Sequence, residues 1–275
     1  MIVAIDTGGT KTLVCAFSAK NGKMKTIARF PTPGEPDEYV RVLKQCIQTN
    51  FTPEEVQVIV LALPGIVKDG IAVWCQNLGW HNFDVRHRLG DLLPGVPILV
   101  ENDANLGGLS ETRALNPIPL SSVYITVSTG IGSGFCTNGD IDEGLRLSEA
   151  GRMLIEYRHK VQPWEKFASG RAIVRVYRKM ARDIKSVRIW NRIADRISRG
   201  FLALIPLTQP DVIIIGGSVG THFHNYGEQL RLILERRLPD HITCPKIVQA
   251  QHPEEAVVYG CYYYGKDYLA DRATR

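Results

Sequence analysis

The feature that most constrains the fold is a pattern that occurs twice: a buried strand, a turn of glycines and hydroxyl residues, and a second strand. Residues 2–17 (IVAIDTGGTKTLVCAF) contain the turn 6–12, and residues 123–136 (VYITVSTGIGSGFC) contain the turn 128–134. Glycines let backbone N–H groups approach a ligand closely, and threonine hydroxyls add donors. We therefore predict two similar domains, each directing one hairpin at the phosphates of a nucleotide.

Each hairpin alone is also typical of a plain tight turn, because glycine and threonine are common in turns. The first is not a Walker A loop, since the Gly-Lys-Ser/Thr ending is absent and a strand follows instead of a helix. Asp6, at the strand end beside this loop, is placed to hold Mg²⁺ directly or through water. A plain turn would leave that carboxylate unexplained.

A second feature is the stretch 101–105 (ENDAN), where the apolar run 96–100 gives way to the helix-like run 106–115. A carboxylate at the carboxyl end of a buried strand faces the crevice where open α/β sheets bind ligands. Asp103 is therefore our candidate general base. Asn102 or Asp103 would equally serve as a helix cap, because both residue types accept hydrogen bonds from the first helical turn.

The remaining pattern predicts a mixed sheet flanked by helices, since the first hairpin is followed by alternating strands and helices. The buried strand 56–63 ends at Pro64-Gly65, and one helix is predicted to begin at Glu165 and run to about Ala181. A long helix over 187–207 has an apolar stripe. The arginines on its other side predict a solvated face rather than a nucleic-acid surface, and they are Arg188, Arg192, Arg196 and Arg199.

Two further stretches carry both a functional and a structural interpretation. The glycine-rich segment 216–220 follows the apolar strand 211–215 and precedes a helix predicted from about Phe223. Its glycines would let a base or ribose lie against the backbone. Alternatively, the segment is an ordinary strand-to-helix turn. Asn77 and Trp80 place an amide near an indole, as in sugar sites, although such a tryptophan is also typical of a core.

Length and composition narrow the class of protein. At 275 residues two domains are expected, and a net charge of +5 suits an anionic ligand such as a nucleotide but is too diffuse to indicate nucleic acid. Six scattered cysteines without a Cys-x-x-Cys pair predict reduced thiols in a cytoplasmic protein. Because Met1 leads directly into a strand, we expect no signal peptide, and the most apolar stretch, 56–67, is too short to span a membrane.

Taken together, these motifs resemble the ROK family of sugar kinases and related repressors, within the larger group of actin-like ATPases. The match covers nearly the whole chain. Residues 6–11 resemble the first phosphate loop, 101–105 the catalytic segment, 129–134 the second phosphate loop, and 216–217 the adenosine glycines.

The resemblance implies an α/β fold of two ribonuclease-H-like (actin-like ATPase) domains, each with a mixed five-stranded sheet flanked by helices, and a cleft between them. The expected domains are 1–117, joined by the C-terminal helix 254–273, and 118–253. The expected substrate-binding residues are Gly65, Asn77, Asn102, Asp103, Glu149, Arg152 and Glu165, with Asp103 as the catalytic base. The expected nucleotide-binding residues are Asp6, Gly8, Gly9, Thr10, Lys11, Thr129, Gly130, Gly132, Gly134, Gly216 and Gly217, and Asp6 also holds Mg²⁺ through water.

One departure from the family pattern concerns zinc. Family members carry Gly-His after the loop of the first glutamate, and then cysteines that bind zinc together with that histidine. Here Gly151 is followed by Arg152, and no cysteine lies between Gly151 and Glu165. Arginine stays protonated and has no lone pair for a metal, so we predict a protein without zinc. Arg152 would donate to a sugar hydroxyl, pair with Glu149, or recognise an anionic substituent.

The predicted reaction is ATP-dependent transfer of the γ-phosphoryl group to a hydroxyl of a hexose or N-acetylhexosamine, as in hexokinases and glucokinases. The alternatives are a non-catalytic sugar sensor and an actin-like assembly ATPase. The family's repressors carry a helix-turn-helix ahead of the first loop, whereas here Met1 already enters the strand that precedes this loop. We expect sugar, ATP and Mg²⁺ as partners, no zinc, no nucleic acid, no membrane, and a homodimer. The sequence leaves open which sugar and which hydroxyl react, and whether ATP or polyphosphate is the donor.

Overall fold

The computed structural model describes residues 1–75 and 77–274, and it divides into two compact units. Unit 1 comprises Met1–Ser110 and Val257–Arg275, and unit 2 comprises Glu111–Ala256. The domain boundaries expected from the sequence stay a prediction.

The secondary structure alternates between strands and helices along most of the chain. The strands are β1 (Ile2–Thr7), β2 (Lys11–Phe17), β3 (Met24–Pro31), β4 (Val58–Leu63), β5 (Ile66–Lys68), β6 (Ile71–Cys75), β7 (Trp80–Asp84), β8 (Ile98–Asn102), β9 (Ser121–Val127), β10 (Ile131–Thr137), β11 (Asp140–Ile141), β12 (Leu154–Tyr157), β13 (Lys160–Pro163), β14 (Val212–Gly216) and β15 (Lys246–Gln249). The α-helices are α1 (Pro36–Asn50), α2 (Val85–Leu89), α3 (Asp103–Arg113), α4 (Glu165–Ala168), α5 (Gly170–Tyr177), α6 (Val187–Thr208), α7 (Gly217–Gly220), α8 (Gly227–Arg237) and α9 (Ala256–Ala273). Within 1–75 and 77–274, no helix has both the length and the apolar character needed to cross a membrane.

Unit 1 is built on a five-stranded mixed sheet in the order β3-β2-β1-β4-β8. Strands β1 to β3 form an antiparallel meander, whereas β1, β4 and β8 are parallel. Strand β4 is buried throughout because helices cover both faces of the sheet. Ile59 and Leu61 pack in the cluster that includes α1, and Val58 and Val60 pack on the opposite face in the cluster that includes α9. This two-sided burial explains the continuous apolar run of β4.

Unit 2 repeats this plan with a five-stranded sheet in the order β11-β10-β9-β14-β15. Strands β9 and β10 form an antiparallel hairpin, and β9, β14 and β15 are parallel. The predicted fold of two mixed five-stranded sheets flanked by helices is therefore confirmed. The apolar stripe predicted for the long helix is buried in α6, and its residues are Trp190, Ile193, Ala194, Ile197, Phe201, Leu204 and Ile205.

Several local predictions are wrong. The single helix expected from Glu165 to about Ala181 is two helices, α4 and α5, because Ser169 adopts an extended conformation and caps α5 by accepting a hydrogen bond from the Ala172 N–H. The helix expected from about Phe223 is preceded by the short helix α7, and α8 begins only at Gly227. The three-stranded sheet β5-β6-β7 and the hairpin β12–β13 were not predicted.

The arginine row of α6 also differs from its prediction. Arg188 and Arg192 are exposed, but Arg196 is only 4% exposed. Its guanidinium lies over the rings of Tyr157 in β12 and Tyr177 in α5. The predicted solvated face is therefore wrong at Arg196, because the unpredicted hairpin covers this part of the helix.

Candidate functional site

The carboxyl ends of β1, β4 and β8 lie at one edge of the unit 1 sheet because these strands are parallel. Asp6 in β1 is in register with Ala62 in β4, and Leu63 in β4 is in register with Asn102 in β8. Gly65 follows β4 and Asp103 follows β8. Predicted nucleotide and substrate residues thus share the edge at which α/β sheets bind ligands.

Asn102 joins two elements at this edge. Its side-chain N–H donates to the Gly65 carbonyl at 2.7 Å, and its Oδ1 accepts from the Asn105 N–H at 3.0 Å. The second bond caps α3, so the capping interpretation applies to Asn102. Asp103 occupies the first turn of α3, half-buried, with its Oδ1 accepting from the Ala104 N–H at 2.8 Å.

Glu101 is a positioning residue that the sequence reasoning missed. Its carboxylate is 1% exposed and accepts from the Asn105 side-chain N–H and from the Asn102 backbone N–H, each at 2.8 Å. These bonds fix the segment that presents Asn102 and Asp103. The available signal was an acidic residue at the end of an apolar strand, where a buried carboxylate requires hydrogen-bond donors.

The first glycine loop is a tight turn between β1 and β2. The Gly8 N–H donates to the Lys11 carbonyl at 3.0 Å, and the Thr32 hydroxyl donates to the Gly8 carbonyl at 2.8 Å. A Cβ at Gly9 would lie 3.0 Å from the Cβ of Asn77, so the structure brings these two predicted residues together. Thr10 is exposed at the tip of the same turn. The loop therefore combines exposed backbone with hydroxyl groups, as a phosphate site requires.

Trp80 belongs to the core of unit 1. It is 2% exposed, its ring packs at 4.8 Å from that of Tyr39, and its indole N–H donates to the Gly34 carbonyl at 3.0 Å. The core interpretation of Trp80 is therefore the correct one, while Asn77 is exposed beside the loop.

Asp6 lies half-buried at the carboxyl end of β1. Burial raises the pKa of the Asp6 carboxyl to about 6, and the nearby Lys11 ammonium partly offsets this effect. A desolvated carboxylate of this kind is suited to a cation. Among the described residues no group of three or more His, Cys, Asp or Glu is arranged to hold a metal ion. Asp6 alone is a donor that fits Mg²⁺, because this ion is usually held by one or two carboxylates and completes its shell with waters and phosphate oxygens.

The second glycine loop, in unit 2, is shorter than predicted. The turn is residues 128–130, closed by the Ser128 N–H donating to the Gly130 carbonyl at 2.9 Å. Gly132 and Gly134 lie within β10, in register with Thr126 and Tyr124, so the predicted turn over 128–134 is wrong in extent. The Gly170 N–H at the start of α5 donates to the Ser128 carbonyl at 2.6 Å.

Gly216 and Gly217 end β14 and begin α7. A Cβ at Gly216 would overlap the Tyr124 hydroxyl, and Gly217 has a φ of 77°, with a Cβ there lying 2.6 Å from Thr126 Oγ1. Packing within unit 2 therefore requires both glycines, whatever ligand binds there. Ser218, the next residue, lines a cavity of about 640 Å³ together with Thr129 of the second loop. The structure thus brings the second loop and the glycine turn to one cavity of the size of a small-molecule site.

Glu149, Arg152 and Glu165 form an ion-paired group in unit 2, which we call the carboxylate–arginine cluster. Arg152 Nε lies 3.3 Å from Glu149 Oε2, and Arg152 Nη1 lies 2.8 Å from Glu165 Oε1. Glu165 Oε2 also accepts from the Ile131 N–H at 3.4 Å, next to the second loop. Of the alternatives left open for Arg152, pairing with Glu149 occurs, and Glu165 is a second partner.

The profile of the ROK family matches residues 2–267, nearly the whole chain. This chain belongs to the ROK family. Its relatives include the N-acetylmannosamine kinase of Haemophilus influenzae, which is 29% identical, with 98% of this chain and 97% of the relative aligned.

Solved ROK structures have the same fold. The ROK hexokinase from Thermus thermophilus is 26% identical, with a TM-score of 0.75 over 97% of this chain and 99% of that one. The ROK family glucokinase from Streptomyces griseus, in complex with glucose and AMPPNP, is 20% identical, with a TM-score of 0.82 over 97% of this chain and 99% of that one. Some ROK proteins are regulators, so family membership alone does not assign catalysis.

The segment between Arg152 and Glu165 lacks the histidine and cysteines of the zinc motif that the resemblance implies. The hairpin β12–β13 spans the segment between Arg152 and Glu165, and the carboxylate–arginine cluster joins the two ends of that segment by ion pairs. The absence of zinc stays a prediction.

Proposed function

We propose that this ROK protein is an ATP-dependent sugar kinase that transfers the γ-phosphoryl group to a hydroxyl of a hexose or N-acetylhexosamine. The observation that carries the proposal is the position of Asp103, which follows Asn102 at the carboxyl end of β8, on the sheet edge that also carries the first glycine loop. The sugar kinases among its relatives support the same reaction class.

Asp103 is the proposed general base. Phosphoryl transfer depends mainly on positioning and charge neutralisation, and a correctly placed base that accepts the hydroxyl proton contributes about 10²- to 10⁴-fold. Asn102 would bind the sugar while its amide stays anchored to Gly65. This anchoring is the reason to expect a well-defined orientation of the neighbouring carboxylate.

The nucleotide side of the proposal uses both glycine loops. Backbone N–H groups of residues 9–10 and 129–130 would donate to phosphate oxygens, and the cavity beside Thr129 and Ser218 would take the adenosine. Mg²⁺, when bound near Asp6 with the nucleotide, supplies neutralisation of the phosphate charge.

The sugar specificity of the proposed kinase would depend on the carboxylate–arginine cluster. Glu149 and Glu165 would accept hydrogen bonds from sugar hydroxyls, and Arg152 would set the direction of both carboxylates. N-acetylmannosamine and glucose are the first sugars to test, because relatives are named for kinases of N-acetylmannosamine and glucose.

The test of the proposal is the Asp103→Asn variant in a coupled assay of ADP release with a panel of hexoses and N-acetylhexosamines. We expect sugar-dependent turnover to fall by about 10²-fold or more, since asparagine accepts no proton. Binding of a non-hydrolysable ATP analogue, measured by calorimetry, should stay within about twofold of wild type. Asp69→Asn is the matched control, because Asp69 is exposed and has a positive φ that asparagine tolerates.

Two results would contradict this role. Turnover by Asp103→Asn close to that of wild type would exclude Asp103 as the base. Loss of nucleotide binding together with turnover would mean that the residue maintains the structure of unit 1 instead.

A sugar sensor is the second candidate, favoured by the ion pairs that engage both proposed sugar acceptors, Glu149 and Glu165. It predicts sugar binding without ADP release for every sugar in the panel, whereas an actin-like ATPase predicts ADP release without sugar. The expected homodimer stays a proposal that sedimentation would test.

A further inference from the structure

Basic charge is concentrated in one part of unit 2. Between positions 166 and 199 the sequence has eleven Lys and Arg against two Asp, whereas the whole chain has a net charge of only +5. The rest of the chain is therefore net acidic. This distribution indicates a local attraction for anions rather than a general one.

Part of this charge lines a cavity of about 710 Å³ formed by the β12–β13 hairpin, the end of α5, and α6. Four arginines and two carboxylates lie in its wall, and they are Arg158, Arg192, Arg196, Arg199, Glu156 and Asp195. We call this the arginine cavity. The four arginines and two carboxylates give this cavity a positive net charge, even when His159 in its lining is neutral.

Arg196 is a buried cation that contacts neutral groups, namely a backbone carbonyl and two tyrosine rings. It is 4% exposed, and its Nη1 donates to the Phe167 carbonyl at 2.8 Å. Its guanidinium carbon lies 5.4 Å from the ring centre of Tyr157 and 5.7 Å from that of Tyr177. The Nε–H is buried without a hydrogen-bond partner among the described residues. Because arginine does not deprotonate in proteins, the buried positive charge persists and favours an anion.

Arg199, one turn of α6 away, is a partly exposed cation that pairs with a carboxylate. Its Nη2 donates to Asp195 Oδ1 at 3.0 Å, but the same oxygen lies 3.4 Å from Arg237 Nη1. One carboxylate is thus shared between two guanidinium groups. The Nε–H of Arg199 is buried and lacks a partner in the part of the chain that the structure describes. Two arginines in the wall of one cavity therefore each carry a buried Nε–H that lacks a hydrogen-bond partner among the described residues.

The turn of the β12–β13 hairpin also lines the cavity, and its backbone is strained. Arg158 and His159 have φ values of 54° and 60°, in the left-handed region that favours Gly and Asn. Residues held in this conformation cluster at ligand sites. The turn places both of these basic side chains on the arginine cavity.

We propose that the arginine cavity is a binding site for a phosphate group, either free inorganic phosphate or the phosphoryl group of a phosphorylated sugar. A phosphate group carries negative charge and several acceptor oxygens, so it would offset the positive charge of the cavity and accept hydrogen bonds from the guanidinium groups that line it. The site is separate from the proposed kinase machinery. It contacts the hairpin that links Arg152 to Glu165, so occupancy would order the segment between these residues.

The test is calorimetric titration of the full chain with inorganic phosphate, after saturation with a non-hydrolysable ATP analogue to block the glycine loops. We expect saturable binding that Arg199→Gln weakens by about tenfold or more, because a charge-assisted hydrogen bond is lost. Arg192→Gln, at an exposed position of the same cavity, provides a second variant with little risk of misfolding. Arg188→Gln, on the same helix but outside the cavity, is the matched control and should stay within about twofold of wild type.

A parallel titration with glucose 6-phosphate distinguishes the two sources. Tighter binding of the sugar phosphate would identify a phosphorylated sugar as the ligand, and equal or weaker binding would identify inorganic phosphate. Phosphate should also slow hydrogen exchange of the backbone at 154–163. Lack of saturable binding, or binding that both Arg199→Gln and Arg192→Gln leave unchanged while folded, would overturn the proposal. None of these measurements depends on kinase activity.

Discussion

The two units share a sheet plan yet hold their edge residues by different interactions. In unit 1 the side chains at the edge bond to backbone: Asn102 donates to the Gly65 carbonyl, and Thr32 donates to the Gly8 carbonyl. In unit 2 the side chains beside the second glycine loop are instead held by ion pairs between Arg152 and two glutamates.

This difference has a physical consequence. Hydrogen bonds between amides and carbonyls have fixed directions and depend little on salt, so unit 1 is suited to hold a reacting group in place. Ion pairs between half-buried side chains adjust more readily and weaken with ionic strength. In the proposed kinase, we therefore expect sequence changes in the carboxylate–arginine cluster to alter sugar affinity before they alter the chemical step.

The first prediction tests unit 1 and has the largest expected effect. Asn102→Ala removes both the cap of α3 and the bond to Gly65, so the adjacent Asp103 loses its fixed orientation. We expect kcat/KM for the sugar to fall by about 10²-fold, the loss typical of a misplaced reacting group. Stability should also decrease by about 1 kcal/mol, as for other lost caps.

Steady-state kinetics and thermal unfolding measure the two effects of Asn102→Ala. Asn50→Ala is the control, since the Asn50 side chain bonds only locally to the Cys46 carbonyl in α1 among the contacts given by the structure. If kcat/KM for Asn102→Ala stays within about threefold of wild type, the bond to Gly65 does not position the base.

The second prediction tests unit 2. Arg152→Met leaves Glu149 and Glu165 without their shared cation, so the carboxylates repel each other and orient the sugar poorly. We expect the sugar KM to rise by about tenfold, equivalent to 1.4 kcal/mol, with a smaller change in kcat. The dependence of KM on salt should also decrease, because the screened ion pairs are gone.

The control for Arg152→Met is Arg231→Met. Arg231 also pairs with two glutamates, Glu228 and Glu235, but it is exposed on α8 and outside the proposed site. A lower sugar KM in Arg152→Met would reverse the interpretation, since Arg152 would then compete with the sugar for the carboxylates.

The difference between the two units also explains which parts of the site could be predicted from the sequence. The edge of unit 1 depends on contiguous residues, 101–105 after an apolar strand, so its position could be inferred from pattern alone. The long apolar stripe of α6 could likewise be predicted from the helical spacing of its apolar residues. The ion pair between Arg152 and Glu165 joins residues on either side of a hairpin, and nothing in the local pattern indicates that these two side chains meet.

The hairpin itself shows why the rest could not be predicted. A two-residue hairpin turn normally has Asn-Gly or a similar pair, whereas here Arg158 and His159 adopt left-handed conformations. Without a turn signal the strands β12 and β13 were missed. The burial of Arg196 beneath Tyr157 was missed with them, because helical periodicity describes one face of α6 and not what covers the other.

The third prediction returns to unit 1 and has the smallest expected effect. Burial has a larger effect on the pKa of Asp6 than the nearby Lys11 does, and it raises the pKa of this carboxyl to about 6. An acid with a higher pKa in the folded state binds its proton more tightly there, so stability is greatest at low pH and falls as the pH rises from about 4 to 6. Asp6→Asn should remove this contribution.

Thermal unfolding of the ligand-free protein between about pH 4.5 and 7 measures this difference. Relative to Asp6→Asn, wild type should lose about 2–4 °C in Tm across that range, a modest value because Asp6 is only half-buried and Lys11 opposes the shift. Asp69→Asn should follow the wild-type curve, since Asp69 is exposed in both states. Parallel curves for wild type and Asp6→Asn would show that Asp6 is well solvated or paired. Unit 1 and unit 2 would then no longer differ in this respect, because Asp6 would be as well compensated as the ion-paired glutamates of unit 2.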